Sequence, residues 1–528
     1  MKADARLPNL VERARRFIVE THGLPLIWAA LTLALLVPVW SQRMLPMLDT
    51  PNHLALVRGW HNYHDPSWHI ADYYTLRVRP VPYFLFYLAI HVLLYVFSIE
   101  VANKLFLSAY LILFPLCVLA LARALKRSPW LALAAFPLAF NQNWIYGFSS
   151  YLMGTCFMFL SFAWLIRWLD GGRVWTVVGL GVACILAYFS HVMPWFCFGL
   201  CAIAILLVRV RDWKRGLWAS LAMLPSVLFA VAAYVEESHD HSYFKTGSGL
   251  GSLAGTWRDF PTMIFEFPRR IMELFPGNVD VWVLVTITLT VIVLIAIGGI
   301  HRSDETPAQR RQVILVLVVL FFTYGMLPYR INQPMSWWYV SPRVPSMMAP
   351  ILILLPALAF DTWRRRLLMV PVIVCGLVLP LKLTALYRDF SRRNMPFMRL
   401  VEKLPRGARV MVVVRNMMMG QGGEEMSGDP ATSAPVYWHF SSWPMALHGG
   451  YDPYIFDQGI PIQPKLKLQA PAWANTDTFE ARQAPDFDYY IVRVDRNDPM
   501  DREPSLKVLE REGGWTLYQR VHKMTDEP

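Results

Sequence analysis

The chain has 528 residues, 55% hydrophobic and 14% aromatic, with a formal charge of +12 and a mean hydropathy of +0.34. A soluble globular protein is nearer about 45–50% apolar, so the composition excludes an ordinary soluble domain and a disordered chain. Residues 388–528 carry 18 Lys and Arg against 19 Asp and Glu, which leaves the +13 excess in the first 387 residues and argues for membrane anchoring rather than nucleic acid as partner.

Twelve apolar segments follow one another near 24–41, 82–98, 104–122, 128–146, 148–169, 174–190, 193–208, 217–235, 280–300, 312–328, 344–360 and 367–387. Stretches such as 281–300 are long enough to cross a hydrocarbon core of about 30 Å. The fold class expected is a polytopic α-helical membrane protein of about 11–13 transmembrane helices, with a C-terminal extracytoplasmic α/β domain. The domains are 1–387, with external loops 42–81, 236–279 and 329–343, and 388–528. Basic clusters at 2–16, 209–215, 301–311 and 364–366 place those ends in the cytoplasm. An N-terminus inside and a C-terminus outside need an odd number of crossings. One segment between 82 and 208 is therefore miscounted, split or re-entrant. Segment 24–40 runs into Trp40-Ser41-Gln42-Arg43 without a small-x-small cleavage site, so it reads as a retained anchor.

The first loop opens on Asp49-Thr50-Pro51-Asn52-His53 and also holds His61, His64, Asp65 and His69. An acid at the membrane surface can accept a proton from a hydroxyl or hold a metal, whereas Asp-Thr-Pro is also good turn chemistry. If 51–60 is helical, Pro51 takes the first helical position, Asp49 lies near the N-cap and His53 on the same side. Asp49 and His53 are the catalytic candidates. Arg58 follows on that element and can meet a phosphate.

His191 lies inside an apolar run, LAYFSHVMPWFCF, where an ionisable residue marks either a site or a helix end at the interface. Glu236 and His239 begin the second external loop and are the metal candidates. A solvated helix end explains them as well. A divalent cation is the one cofactor left open.

The third loop, PYRINQPMSWWYVSPR, carries Arg330 and Arg343 beside Trp337 and Trp338. Arginine forks match phosphate oxygens, and indoles stack on sugars or form an aromatic belt. Arg58, Arg330, Arg343 and Lys382 are the candidate phosphate ligands. His191, Trp337 and Trp338 are candidates for the substrate pocket.

Past 388, Val410–Val414, 489–494 and 515–521 read as strands, and 396–404 and 504–512 as helices. The aromatic surface of Tyr437, Trp438, His439, Trp443, Tyr451 and Tyr454, with Asp452, suits carbohydrate or docking onto the membrane domain. All six cysteines (117, 156, 184, 197, 201 and 375) lie in apolar segments, which leaves no disulfide framework in the C-terminal domain.

The order of these features resembles the GT-C superfamily of membrane glycosyltransferases. The resemblance rests on a first helix followed by a long external loop with an acid near its start, on DTPNHLA (49–55), NWIYGFSSYLMG (143–154) and YFSHVMPW (188–195), and on the external C-terminal domain. It covers roughly 24–390. Better known members often pair two acids in this loop; here Thr50 follows Asp49. The resemblance implies an inverting glycosyltransferase of the bacterial cytoplasmic (inner) membrane. It would move a sugar from a polyprenyl-phosphate carrier to a glycan, lipid or protein acceptor on the outer face. Membrane lipids are then partners and nucleic acid is not. A lipid-linked saccharide transporter or ligase-like component, and a noncatalytic scaffold on a degenerate GT-C fold, are the alternatives. A transporter of this kind is expected to show two similar halves, which the sequence lacks.

Overall fold

The structure, a computed structural model, describes residues 23–239, 255–274, 277–298, 307–332, 337–415, 433–456, 460–471, 479–493 and 498–521. The basic cluster at 2–16, most of 301–311, the glycine-rich strip from 247 to 254 and much of the irregular 416–484 stretch lie outside these residues.

The helices in chain order are α1 (Gly23–Trp40), α2 (Thr50–His61), α3 (Phe84–Leu93), α4 (Ile99–Ala124), α5 (Ser149–Leu169), α6 (Val174–Ser190), α7 (Val192–Val208), α8 (Trp213–His239), α9 (Phe260–Met272), α10 (Val279–Gly298), α11 (Pro307–Met326), α12 (Val344–Ile353), α13 (Val370–Glu402) and α14 (Ser442–His448). Seven of them are long and apolar enough to cross a membrane, and α3, α6 and α7 are shorter apolar helices. The chain is a multi-pass membrane protein. Large side chains such as Leu33, Phe322 and Leu381 point outward from α1, α11 and α13, as a bilayer requires, while α5 is buried at the centre against α4 and α6.

Two of the twelve apolar segments are broken. Segment 128–146 folds as the turn Leu131–Ala134 and the short helices Ala135–Ala139 and Gln142–Ile145, all buried. Asn141 divides the short helices, its Oδ1 accepting from the Asn143 N–H at 3.0 Å. It lies between 82 and 208, the zone where a miscounted, split or re-entrant segment is expected. Segment 344–360 is helical only to Ile353; beyond it the Leu354 and Leu355 carbonyls accept from buried Arg127 at 2.9 and 3.2 Å.

α13 runs unbroken through 388, where apolar periodicity stops in the sequence, and carries the chain into a four-stranded sheet. Its order is β5-β7-β9-β8, where β5 is Val410–Val414, β7 Tyr489–Arg493, β8 Leu506–Glu512 and β9 Trp515–Arg520. β5 and β7 are parallel, Val410 facing Tyr489; the other pairs are antiparallel. The strands expected at 410, 489 and 515 are present. The helix expected over 504–512 is instead β8, because Gly513 and Gly514, at φ of 53° and 80°, close a tight turn that folds LKVLERE back on WTLYQR.

Five further short strands tie loops together. β1 (Tyr74–Leu76), in the first loop, pairs antiparallel with β6 (Ile462–Pro464). β2 (Gly255–Thr256), β3 (Arg330–Ile331) and β4 (Trp337–Trp338) form a small sheet from the second and third loops. α14 packs on α2, and the Arg58 Nε donates to the Ala446 carbonyl at 3.0 Å. The first loop, residues 433–456 and β6 therefore pack together.

Candidate functional site

Asp49 is fixed by backbone contacts to the broken segment. Leu48 N–H donates to the Ile145 carbonyl at 2.9 Å and Asp49 N–H to the Tyr146 carbonyl at 3.1 Å. Asp49 is the N-cap of α2, with Pro51 in the first turn, yet its carboxylate makes no capping bond. The side chain is thus not consumed by turn chemistry. It is 16% exposed, with Oδ1 3.5 Å from His439 Nε2. Burial pushes the Asp49 carboxyl up to about 7, against the pull of the Arg343 charge.

Gly147 makes this approach possible. Its φ is +74°, and a Cβ there would stand 2.9 Å from both the Asp49 and Thr50 backbone nitrogens. Gly147→Ala is expected to displace the start of α2. The positive φ alone costs about 1–2 kcal/mol in a residue with a Cβ. A lowered melting temperature together with lost activity is the expected readout; an unchanged variant on both counts would show that the Asp49 turn tolerates movement.

His53 sits one turn into α2, buried, its Nδ1 2.9 Å from the Tyr87 hydroxyl and its ring among Tyr83, Phe86 and Phe456. Burial and the Arg343 charge hold it down to about 3, so it is a neutral imidazole.

Arg343 is buried in the turn before α12. Its Nε donates to the Tyr339 carbonyl at 2.7 Å and Nη2 to the Trp338 carbonyl at 3.3 Å. The guanidinium lies 3.7 Å from the Phe148 ring centroid. Nη1 is 3.1 Å from His191 Nε2. His191 occupies the corner between α6 and α7, and its Nδ1 accepts the Met193 N–H at 3.0 Å, capping α7. On that assignment the imidazole hydrogen is on Nε2, which faces the Tyr83 hydroxyl at 3.1 Å and cannot also accept from Arg343. Among the described residues no carboxylate lies within ion-pair distance of this guanidinium. A buried cation without a counter-ion is costly, by several kcal/mol. Tyr83 and Tyr339, which flank Arg343, hold φ of 75° and 61°. Strained non-glycine residues of this kind gather at functional sites.

The structure therefore brings Asp49, His53, His191, Arg343 and Trp337 into one cluster. Trp337 stands 5.6 Å from His191 and 5.7 Å from Arg343. The Trp338 ring is tilted against Tyr339 and Tyr146 and edge-on to Trp438. The other candidates lie apart. Arg58 is engaged by Ala446, by Asn62 and by the Trp68 ring at 4.8 Å. Arg330 is exposed on β3, opposite Trp338, and Lys382 is exposed on α13. Glu236 pairs with Arg79 at 3.1 Å, and the His239 side chain lies outside the described residues. Among the described residues no three His, Cys, Asp or Glu side chains converge as for a metal.

Sequence reading passed over Tyr83, Tyr87, Tyr151 and Asn52 as pocket residues, and placed His439 on a docking or sugar-binding surface. The Tyr151 hydroxyl donates to the Arg343 carbonyl at 2.6 Å, holding that turn in place. The sequence signals for these are the density of aromatics and, for Asn52 and Tyr151, their places in DTPNHLA and NWIYGFSSYLMG.

The fold, a helical bundle with a long loop after the first helix and a mixed C-terminal sheet, is shared with solved structures of membrane proteins. In particular, the chain is similar to the crystal structure of ArnT from Cupriavidus metallidurans bound to undecaprenyl phosphate, at 12% identity and a TM-score of 0.55 over 94% of this chain and 98% of that one. It is similar to the apo state of the same protein at 13% identity and a TM-score of 0.56, over 94% and 97%. No family model matches, and no curated protein matches the sequence.

Proposed function

We propose that this chain is an inverting glycosyltransferase that moves a sugar from a polyprenyl-phosphate carrier to an acceptor hydroxyl on the outer face of the bacterial cytoplasmic membrane. The observation that carries the reading is the juxtaposition of Asp49 and Arg343: a largely buried carboxyl with a pKa near neutrality, close to a buried arginine that, among the described residues, has no carboxylate within ion-pair distance. In this reading Asp49 takes the acceptor proton, and the acceptor oxygen bonds to the anomeric carbon. The bond from that carbon to the phosphate oxygen breaks, and polyprenyl phosphate leaves with its electron pair. Arg343 meets the negative charge on the leaving phosphate. Inversion needs one base and no covalent intermediate, so a lone acid suffices. Trp337 and Tyr83 offer faces for the sugar. The likeness to a protein whose crystal structure holds undecaprenyl phosphate supports the carrier class. The acceptor class, whether glycan, lipid or protein, is open.

Reconstitution with synthetic polyprenyl-phosphate sugars tests this reading, with product detected by mass spectrometry. Turnover in the wild type and none in Asp49→Asn supports it. No turnover across the sugar and acceptor panels, with the carrier also failing to bind, would remove it.

The outer-face placement rests on the ends of the helices. Arg209 pairs with Asp170, which also accepts from Gln309, so the 209–215 and 309–311 ends meet on one side. Arg43, just before Asp49, pairs with Glu100 and Glu402 beside the C-terminal sheet. By the positive-inside rule the first group faces the cytoplasm and residues 388–528 form an extracytoplasmic domain. A reporter fused after Pro528 is expected to be active only outside the cytoplasm; activity confined to the cytoplasm inverts the topology.

A further inference from the structure

The C-terminal region reaches Asp49 through the side chain of His439. Asn52 fixes its orientation. The Asn52 Oδ1 accepts from the Phe456 N–H at 2.9 Å. Its Nδ2 is thereby turned toward the Tyr454 carbonyl at 2.9 Å, Ser442 Oγ at 3.2 Å and His439 Nδ1 at 3.4 Å. Ser442 donates its own hydrogen to Asp452 Oδ2 at 2.5 Å, so its oxygen is an acceptor toward Asn52. An amide nitrogen has only hydrogens to present. His439 Nδ1 therefore offers its lone pair, and in a neutral imidazole the hydrogen sits on Nε2. That nitrogen is 3.5 Å from Asp49 Oδ1. The ring is buried, edge-on to Phe456 with centroids 4.8 Å apart, and Trp438 lies almost parallel to it.

We infer that His439 is a positioning residue for Asp49: a neutral imidazole, its tautomer set by Asn52, that aims one N–H at the carboxylate and leaves the second carboxylate oxygen to the acceptor. The base role of Asp49 rests on the reading given under Proposed function; the contact itself does not. Burial holds His439 down to about 3, with His53 adding to it, so the ring faces Asp49 uncharged. The other groups facing Asp49 are Arg343 from the third loop, Tyr83 before α3, Tyr146 from the broken segment and His53 from α2. Of these only Arg343 carries a fixed charge. The imidazole N–H and the arginine thus act in the same direction, favouring the carboxylate against its burial.

The device differs from a paired-acid site. A second carboxylate would raise the Asp49 pKa further by like-charge repulsion, whereas a neutral N–H donor lowers it. It also makes the base dependent on residues 433–456, so a transmembrane part lacking them would hold an unsupported Asp49.

The test uses full-length protein in detergent or nanodiscs and reads Asp49 directly. Its protonated carboxyl is followed by the infrared C=O band that disappears in Asp49→Asn, giving a titration midpoint without turnover. His439→Ala is expected to raise that midpoint by about one pH unit or more. His439→Gln, whose amide can place a hydrogen near the same oxygen, recovers part of the shift. Asn52→Leu leaves the histidine but removes the group that sets its tautomer, and also raises the midpoint. The acidic limb of kcat/KM is expected to move by the same amounts, with the donor KM within about twofold of wild type. A merely structural role would lower folded yield or melting temperature without moving the midpoint. If His439→Ala does not fold, His439→Gln and Asn52→Leu carry the comparison. Midpoints within about 0.2 unit of wild type in the folded variants overturn the inference. Shifted midpoints in a protein that transfers no sugar uphold the His439 contact and remove the transferase reading. Turnover with unmoved midpoints does the reverse.

Discussion

Asp49→Asn is expected to abolish sugar transfer while the protein still folds and inserts. A carboxamide keeps the shape of the side chain and the backbone bonds to Ile145 and Tyr146, but it cannot take a proton. A positioned base contributes about a hundred- to ten-thousandfold in rate, so kcat should fall by that order. The wild-type pH profile follows from the same carboxyl. With a pKa of about 7 it is mostly protonated below neutrality, and activity should rise with pH through that value. Stability should run the other way. The folded pKa lies above the ordinary value of 3.8, so the folded state binds more protons than the unfolded one between those values. The stability contributed by the protonated group is fully present below about pH 4 and is lost as pH rises through about 7. Asp49→Asn should therefore melt at or above the wild-type temperature at pH 8, with the gap closing near pH 5. Retained turnover in the variant would move the base elsewhere, and an unchanged difference in melting across that range would mean the carboxyl is not held high.

Arg343→Ala is expected to weaken apparent affinity for the polyprenyl-phosphate sugar by about ten- to a hundredfold at fixed acceptor concentration. Hydrogen bonds to a charged group contribute about 1.5–3 kcal/mol each, and the loss of the fork removes at least one. Arg343→Lys should recover only part, because the ammonium is a point charge without the planar fork that spans Tyr339, Trp338 and the pocket. Arg330→Ala should change the same quantity by less than about fivefold, since exposed charges contribute about 0–1 kcal/mol. Equal effects from the two alanine variants would put the phosphate at the rim beside β3. No effect from either would leave Arg58 and Lys382 to be tested next.

Much of this architecture is legible in the residues. Apolar runs long enough for a bilayer, charge confined to certain ends, and the strands at 410, 489 and 515 follow from local composition and periodicity. The placement of Asp49 before Pro51 predicts an N-cap, and the structure has one. The helix expected over 504–512 failed because LKVLERE is compatible with either state, and the Gly513–Gly514 turn and pairing with β9 decided for strand. Parity of the charge pattern asks only that some segment between 82 and 208 be miscounted, split or re-entrant; that 128–146 breaks, and where, depends on Asn141 finding its cap inside the bundle.

The sequence by itself determined the membrane class, the candidacy of Asp49, His53, His191 and Arg343, and the strands of the C-terminal sheet. Each of these is a local property: hydropathy over a window, an ionisable residue in an apolar setting, alternation along a short run. Only the tertiary structure decided which candidates share a pocket. It placed Arg343 beside His191 and left Arg330 and Lys382 on the surface, although all three arginine and lysine side chains look alike in sequence. It also turned Asn52 toward His439, and His439 toward Asp49, through packing of α14 on α2. Such pairings depend on the burial of distant faces against each other, and the direction of one imidazole hydrogen depends on them in turn.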